Sequence, residues 1–364
     1  MKSYKRAFLA IVSLVLLVAV VSCTKKPNNG NTHSGIEYYR QMQPSQTPYD
    51  IEKGIHKLTP RQSKTINSYK FTYDKSGRLF SVEYVRNNVL LGYSSMGFAA
   101  KITYEYSGNK QVKHYFDDKN QPMESAGVFK AEYTTDDKGI RTKLEFFGKY
   151  GQAVENRNKI HSFEWSILDN GMIREVRYDL QNKETVLNPF CPFYELRFTY
   201  NDKGFVSKMA NYRADTLYNC TAENCGEVGV SYFLFEPNEM GDVEKFSVFN
   251  VIGQTSNLYW GWSKRINKFD ENGNVLETVF YDQDGEYLGG KRVPVMQFIY
   301  DEHGAVTETK NMDKNRQLYN NPENRVARTT YKYDSQGNRT ETLRFDKDGV
   351  PVYIKYDPTN CCCF

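Results

Sequence analysis

Few stretches of this 364-residue chain set chemically competent side chains at a spacing that a reaction needs. GEYLGGKR, residues 285–292, approaches a phosphate loop, with Gly285, Gly290 and Lys291 in place. Arg292 stands where a hydroxyl must reach Mg²⁺, and the stretch follows a hairpin turn instead of a strand that enters a helix. GYSSMG (92–97) lacks the spacing of a nucleophile elbow. The five histidines, at 33, 56, 114, 161 and 303, are far apart and show no His-x-x-x-His pattern. They read as surface or strand-edge residues. Asp282-x-Asp284-Gly285, Asp346-x-Asp348-Gly349 and Asp270-x-Asn272-Gly273 resemble pieces of calcium loops, but the twelfth-position Glu is missing and turn chemistry accounts for them. The expectation is therefore no metal, no cofactor and no catalytic residue. A carboxylate pair for glycoside hydrolysis has no sequence signature by which to choose it.

YWGW gathers Tyr259, Trp260 and Trp262 beside a glycine. Such aromatics either stack on a sugar ring or anchor a protein partner, or else fill the core between two units. They are the candidate ligand-binding residues. Cys220 and Cys225 are the candidate disulfide, with Cys191 as a competitor. The CCCF stretch, with Cys361, Cys362 and Cys363, fits a prenylation box only superficially.

The N-terminus carries the clearest address. MKSYKR, with three positive charges, runs into the apolar stretch AFLAIVSLVLLVAVVSC. Ala7 to Ser22 is shorter than the roughly 18–20 apolar residues a spanning helix needs, so processing is the better reading. The segment resembles a bacterial lipoprotein signal whose lipobox ends in Cys23. That resemblance implies removal of residues 1–22, acylation of Cys23 and a membrane held through that lipid. Thr24, not the Asp that retains some lipoproteins at the inner membrane, points to the outer membrane of a bacterial cell envelope, on its periplasmic or surface face.

Lys and Arg number 48 against 44 Asp and Glu. Without Lys2, Lys5 and Arg6 the 48 becomes 45, so the mature chain is close to neutral and no nucleic-acid footprint is expected. The 28 Tyr, 22 Phe and 3 Trp suit half-buried pleated surfaces. Residues 23–65, rich in Pro, Asn, Gln, Ser and Thr, read as the lipidated Cys and a flexible spacer, with an end-capping segment late in it around IEKGI (51–55).

From residue 66 a single pattern takes over. YDKSG, YNDKG, FDENG, YDEHG and YDSQG place glycines at 77, 204, 273, 304 and 337, at gaps that are multiples of about 32. Gly108, Gly139, Gly171 and Gly241 complete nine positions spaced by 31 to 37 residues. A second turn follows inside each unit, as Gly337 leads to Phe345 and Gly349. Asp or Asn after the aromatic accepts a backbone hydrogen bond from two residues on, and Gly supplies the positive φ of a type I turn closed by a bulge. Before the turns, apolar residues alternate: Tyr69, Phe71 and Tyr73; Ile102, Tyr104 and Tyr106; Leu196, Phe198 and Tyr200. Period 2 with one apolar face marks half-buried antiparallel strands. The fold expected is all-β, an elongated, twisted antiparallel β-sheet or β-solenoid of about nine hairpin repeats over residues 66–356, followed by a tail at 357–364. Glu277, Glu308 and Glu341 sit four residues after their glycines and need interleaved cations if units stack.

Tyr73-Asp74-x-x-Gly77-Arg78 is similar to the YD repeat of bacterial RHS and teneurin-like proteins. That resemblance implies a β-rich shell or surface filament, often placed ahead of a toxin. The function expected is a non-enzymatic cell-envelope lipoprotein whose β-repeat array is a binding or structural scaffold for protein or glycan. Two alternatives stay open, a component of an envelope or toxin delivery and immunity assembly, and a carbohydrate-active envelope hydrolase.

Overall fold

The computed structural model describes residues 33–92, 96, 99–186, 193–220, 229–258, 261–288 and 292–354. They form an antiparallel sheet of 23 strands, with one short 3-10 turn at Gln62–Lys64. Among these residues no helix is long and apolar enough to cross a membrane.

Nine hairpins are built on the nine expected glycines. Each of the nine has positive φ, from 57° at Gly108 to 102° at Gly241, the region that a side chain strains. In the first hairpin Asp74 Oδ1 accepts the N–H groups of Ser76 at 2.8 Å and Arg78 at 2.9 Å. The register slips by one residue between Thr72 and Tyr73, which is the bulge that closes the turn. Asp301 and Asp334 repeat the same pair of bonds. Several second turns obey the same chemistry and return the chain by one bridge, as in Phe345↔Pro351 and Met312↔Leu318, whereas the first and fifth units turn on two residues, Asn87-Asn88 and Ala214-Asp215.

In seven of the eight junctions a hairpin pairs with the next in the same register, the step from the fourth to the fifth being offset by one residue. Glu83↔Lys101, Val279↔Val295 and Lys310↔Arg328 join residues six past the turn glycine to the first residue of the following strand. The sheet is open. Its outer strands, Gly54–Leu58 and Arg339–Phe345, each have one strand neighbour among the described residues.

Residues 33–65 differ from the spacer expected for 23–65. They contribute β1 (Gly35–Met42) and β2 (Gly54–Leu58). β1 pairs with the first strand of the first hairpin, Tyr39↔Tyr69, and β2 folds back on β1. Only Ile51 and Ile55 hinted at this role, because the segment's partners are mostly polar and distant in sequence. The sheet curls around the segment. Thr47 and Asp50 reach Glu175 and Tyr200, His56 reaches Asp242, and Arg40 reaches Asn274 and Gly304.

The core lies on the face turned toward that segment. The fourth residue of each first strand makes an aromatic ladder of Phe71, Tyr104, Tyr133, Trp165, Phe198 and Phe235, all buried. Tyr49, from the threaded segment, meets Trp165 and Phe198 edge-on at 5.4 and 5.8 Å. Past Leu258 the ladder continues as Asn267, Phe298 and Tyr331, which are half-exposed, and the remaining buried cluster is Val279, Val295 and Met312.

Candidate functional site

Two places in the sheet gather polar side chains. The first is interior, where residues 47–53 cross the inner faces of the second to fifth hairpins. Lys113 and the Tyr104 hydroxyl both donate to the Glu52 carboxylate. Burial is the largest influence on Glu52 and acts upward, yet the Lys113 ammonium and these two donors hold its pKa below the ordinary carboxylate value. Burial depresses Lys113, and Glu52 overrides it to leave the ammonium well above its usual range. Beside them Arg141 Nη1 donates to the carbonyls of Pro48, Tyr49 and Asp50 at 3.3, 3.1 and 2.8 Å, with its guanidinium 3.7 Å above the Tyr133 ring. Asp50 is pushed up by burial, against the 2.6 Å hydrogen bond donated by Tyr200. Glu175 accepts Thr47 Oγ1 at 2.5 Å and Trp165 Nε1 at 2.7 Å and pairs with Arg177 at 2.6 Å. These groups engage one another, with Arg141 Nη2 left without a hydrogen-bond partner, and their work is to bolt the threaded segment to the array.

The second place opens to solvent. A cleft of about 540 Å³ lies between β1 and the seventh and eighth hairpins. Phe298, Tyr300 and Ile66 line it together with Asp270, Asn272 and Asp301. Arg40, 5% exposed, is held at its base by Asn274 Oδ1 at 2.6 Å and the Gly304 carbonyl at 2.5 Å. Burial pushes the Tyr300 hydroxyl up to about 12. A neighbouring cleft of about 410 Å³ runs past Arg86, His303 and Tyr331 and shares Asp301. Both oxygens of Asp270 and one of Asp301 are committed to their own turns, Asp270 Oδ2 accepting Asn274 Nδ2 at 2.8 Å. Aromatic walls beside carboxylates and amides suit a polar ligand with apolar faces, such as a sugar ring.

The residues expected from sequence fall elsewhere. Trp262 packs against Phe246 at 5.7 Å and Phe280 at 5.2 Å, as part of the core between the sixth and seventh hairpins. The residue stays half-buried. Tyr259 and Trp260 lie outside the described residues, as do Cys23, Cys191, Cys225 and Cys361–Cys363. Cys220 is buried, with Asn211 Nδ2 3.9 Å from its sulfur. His56 lies on the outer strand β2, as a strand-edge residue, yet is buried. It is 9% exposed, not a surface residue, and its Nε2 lies 2.8 Å from Asp242 Oδ2. Asp242 is 186 positions away in the chain, so no spacing pattern could reveal the pair. Among the described residues no group of three or more His, Cys, Asp or Glu side chains is placed to hold a metal ion. The Glu column is interleaved with cations. Arg316 holds Glu277 at 2.8 and 2.9 Å, Lys310 and Arg328 flank Glu308, and Lys332 pairs with Glu341 at 2.9 Å.

No protein-family model and no curated protein matches the chain. Among solved structures it is similar to a porin-like protein from Bacteroides uniformis, at 11% identity and a TM-score of 0.29, covering 86% of this chain and 95% of that one. It is also similar to TcdB2-TccC3 without its hypervariable C-terminal region, at 10% identity and a TM-score of 0.28 over 80% of this chain. The Photorhabdus luminescens Tc holotoxin pore gives 11% identity and 0.23 over 81%. The chain spans 16% and 19% of those last two chains. At such scores the architecture rests on the chain's own hydrogen-bonded sheet.

Proposed function

We propose that the protein is a non-enzymatic scaffold of the bacterial cell envelope, held to the outer membrane by a lipid on Cys23, whose β-repeat array presents a fixed surface to a glycan or protein partner. The observation that carries this reading is the threaded segment. Arg40, Asp50 and His56 tie the N-terminal strands to hairpins five through eight, so the chain that leaves the lipid is the same chain that sets the array's curvature. The cleft beside Arg40 is the binding surface this arrangement creates, and its aromatic and carboxylate lining favours a glycan. The polar groups of the interior are engaged in holding the fold, which supports a scaffold and not a reaction centre.

Two measurements test the reading. Metabolic labelling with a fatty-acid analogue should mark the wild-type chain and leave Cys23→Ala unlabelled and released from membranes. Equal membrane retention of the two would sink the anchor. Binding to an array of envelope polysaccharide fragments should be lost on Phe298→Ala and retained on Phe80→Ala, an exposed position away from the cleft. No glycan bound by the wild type, with one protein recovered by crosslinking in intact cells, would replace the glycan by that protein.

A further inference from the structure

An arginine stands at each of the two clefts, and the two guanidinium groups are held differently. Arg40, at the base of the larger cleft, has both terminal nitrogens engaged. Its Nη1 donates to the Asn67 carbonyl at 3.3 Å, and its Nη2 donates to Asn274 Oδ1 and the Gly304 carbonyl at 2.6 and 2.5 Å. Arg86, half-buried in the wall of the neighbouring cleft of about 410 Å³, is held by one bond, from Nε to Asn67 Oδ1 at 2.8 Å. Its Nη2 is buried and has no hydrogen-bond partner. The ninth turn closes over that nitrogen, since a Cβ on Gly337 would come within 2.8 Å of it. Nη1 is therefore the end of the guanidinium that can meet a ligand from the cleft.

Among the described residues no carboxylate pairs with Arg86. Asp301 and Asp334 line the same cleft, but Asp334 commits both oxygens to its own turn and Asp301 commits Oδ1. Lys332, also in the lining, already has Glu341 as its partner at 2.9 Å. The cleft thus holds a cation partly removed from water and without a counter-charge, a cost that a bound anion relieves. A planar guanidinium suits a carboxylate above other acceptors of one charge. The walls say what carries that carboxylate. Tyr331 and Tyr333 are two apart on one strand and so share a face, and the Tyr333 hydroxyl donates to the Val306 carbonyl at 2.7 Å, which fixes its ring. Thr307 and Ser335 add hydroxyls to the lining. Aromatic walls take the apolar face of a sugar ring, and hydroxyls take its polar edge.

We infer that the Arg86 cleft is a subsite for an acidic sugar, with the carboxylate of a uronic-acid residue against Arg86 Nη1 and the sugar ring against Tyr331 and Tyr333. The inference rests on the glycan reading of the adjoining Arg40 cleft, which shares Asp301 with this one, and it adds the charge of the ligand.

The charge is tested with the full chain on an array in which each acidic oligosaccharide, built on galacturonate, glucuronate or mannuronate, is printed beside its carboxyl-reduced form, the neutral sugar with the same linkages. The acidic member of at least one pair should bind at least about ten-fold tighter, the scale of one charge-assisted hydrogen bond, and that preference should shrink as salt is raised. Arg86→Gln should bring the acidic member down to the neutral one. Because this change also removes the bond to Asn67, a second variant leaves Arg86 alone. Ser335→Asp adds a carboxylate at an exposed turn position beside the cleft and should weaken the acidic member several-fold while sparing the neutral one. Equal binding within every pair would overturn the inference and leave the glycan reading standing. A preference unchanged in both variants would put the anion elsewhere and overturn it as well. Displacement of the acidic member by inorganic phosphate as readily as by free glucuronate would give the subsite to a phosphate. No saccharide bound at all would end the glycan reading, and the subsite with it.

Discussion

The last three hairpins and most of the first six share one turn chemistry, the tighter Gly108 turn being an exception, and the two groups differ in what lies beneath it. In the first six, the aromatic ladder from Phe71 to Phe235 is buried and the N-terminal segment fills the concave side with Tyr39, Tyr49 and Ile51. In the last three, the same ladder positions are Asn267, Phe298 and Tyr331, the buried apolar cluster shrinks to Val279, Val295 and Met312, and salt bridges run along the strands. The Asp-and-Gly turn therefore makes a hairpin with or without a core. Burial decides how firmly that hairpin is held, and where the core thins the inner face opens into the clefts beside Arg40 and Arg86.

The sharpest way to break the comparison is to remove the same ladder residue from each region. Phe198→Ala should cost about 3–5 kcal/mol, because Phe198 is 0% exposed. Phe298→Ala, half-exposed beside the cleft, should cost less than about 2 kcal/mol. Urea unfolding followed by tryptophan fluorescence measures both, and equal costs would show that the two regions are packed alike.

Next is the bolt between the threaded segment and the second hairpin. Glu52→Gln leaves Lys113, 15% exposed, without its counter-charge, and should cost about 3 kcal/mol at neutral pH. The sign with pH follows from the depressed Glu52 value. Its stabilisation is complete above the ordinary carboxylate value of 4.5 and is lost as pH falls through the lower folded value. Wild type and Glu52→Gln should accordingly converge in acid. Asp50, shifted upward, contributes with the opposite sign in both proteins and cancels in the difference. Denaturant midpoints measured from pH 7 down to 3 follow the convergence, and a constant gap would rule out the Glu52 ion pair as its source.

A smaller effect separates two turns. Gly337→Val forces a β-branched residue to a φ of +90°, and an added Cβ there would lie 2.8 Å from Arg86 Nη2. A loss of about 1–3 kcal/mol is expected. Gly139→Val is strained similarly, but its Cβ meets nothing within 4 Å, so thermal unfolding should show the smaller loss there. The least effect belongs to the exposed charges. Arg316→Ala releases Glu277 and should cost at most about 1 kcal/mol, and a double-mutant cycle with Glu277→Gln should shrink further in 0.5 M salt.

Local chemistry made the hairpins legible in the sequence. Positive φ at nine glycines, Asp side chains closing their own turns and period-2 aromatics are decided within a few residues, so spacing alone located them. The threaded segment was not legible, since Glu52 meets Lys113 from 61 positions away and Arg40 meets Gly304 from 264. Nothing in PSQTPYDIEKGIHKL announces that its polar side chains end inside a coil. The clefts share this property, being lined by turns from two hairpins and a strand from the other end of the chain. Trp262 shows the core alternative that its sequence position left open, its ring meeting Phe246 and Phe280.

The long reach of Arg40 and His56 also sets an order of events. Synthesis proceeds from the N-terminus, so β1 and β2 are made before Asp242, Asn274 and Gly304 exist to receive them. Hairpins can close as they emerge, each from neighbouring residues, while the first segment waits for partners more than 180 positions downstream. Contacts of that separation close slowly. During that delay the inner face of the sheet is bare, and a shielding protein would be needed most at that stage.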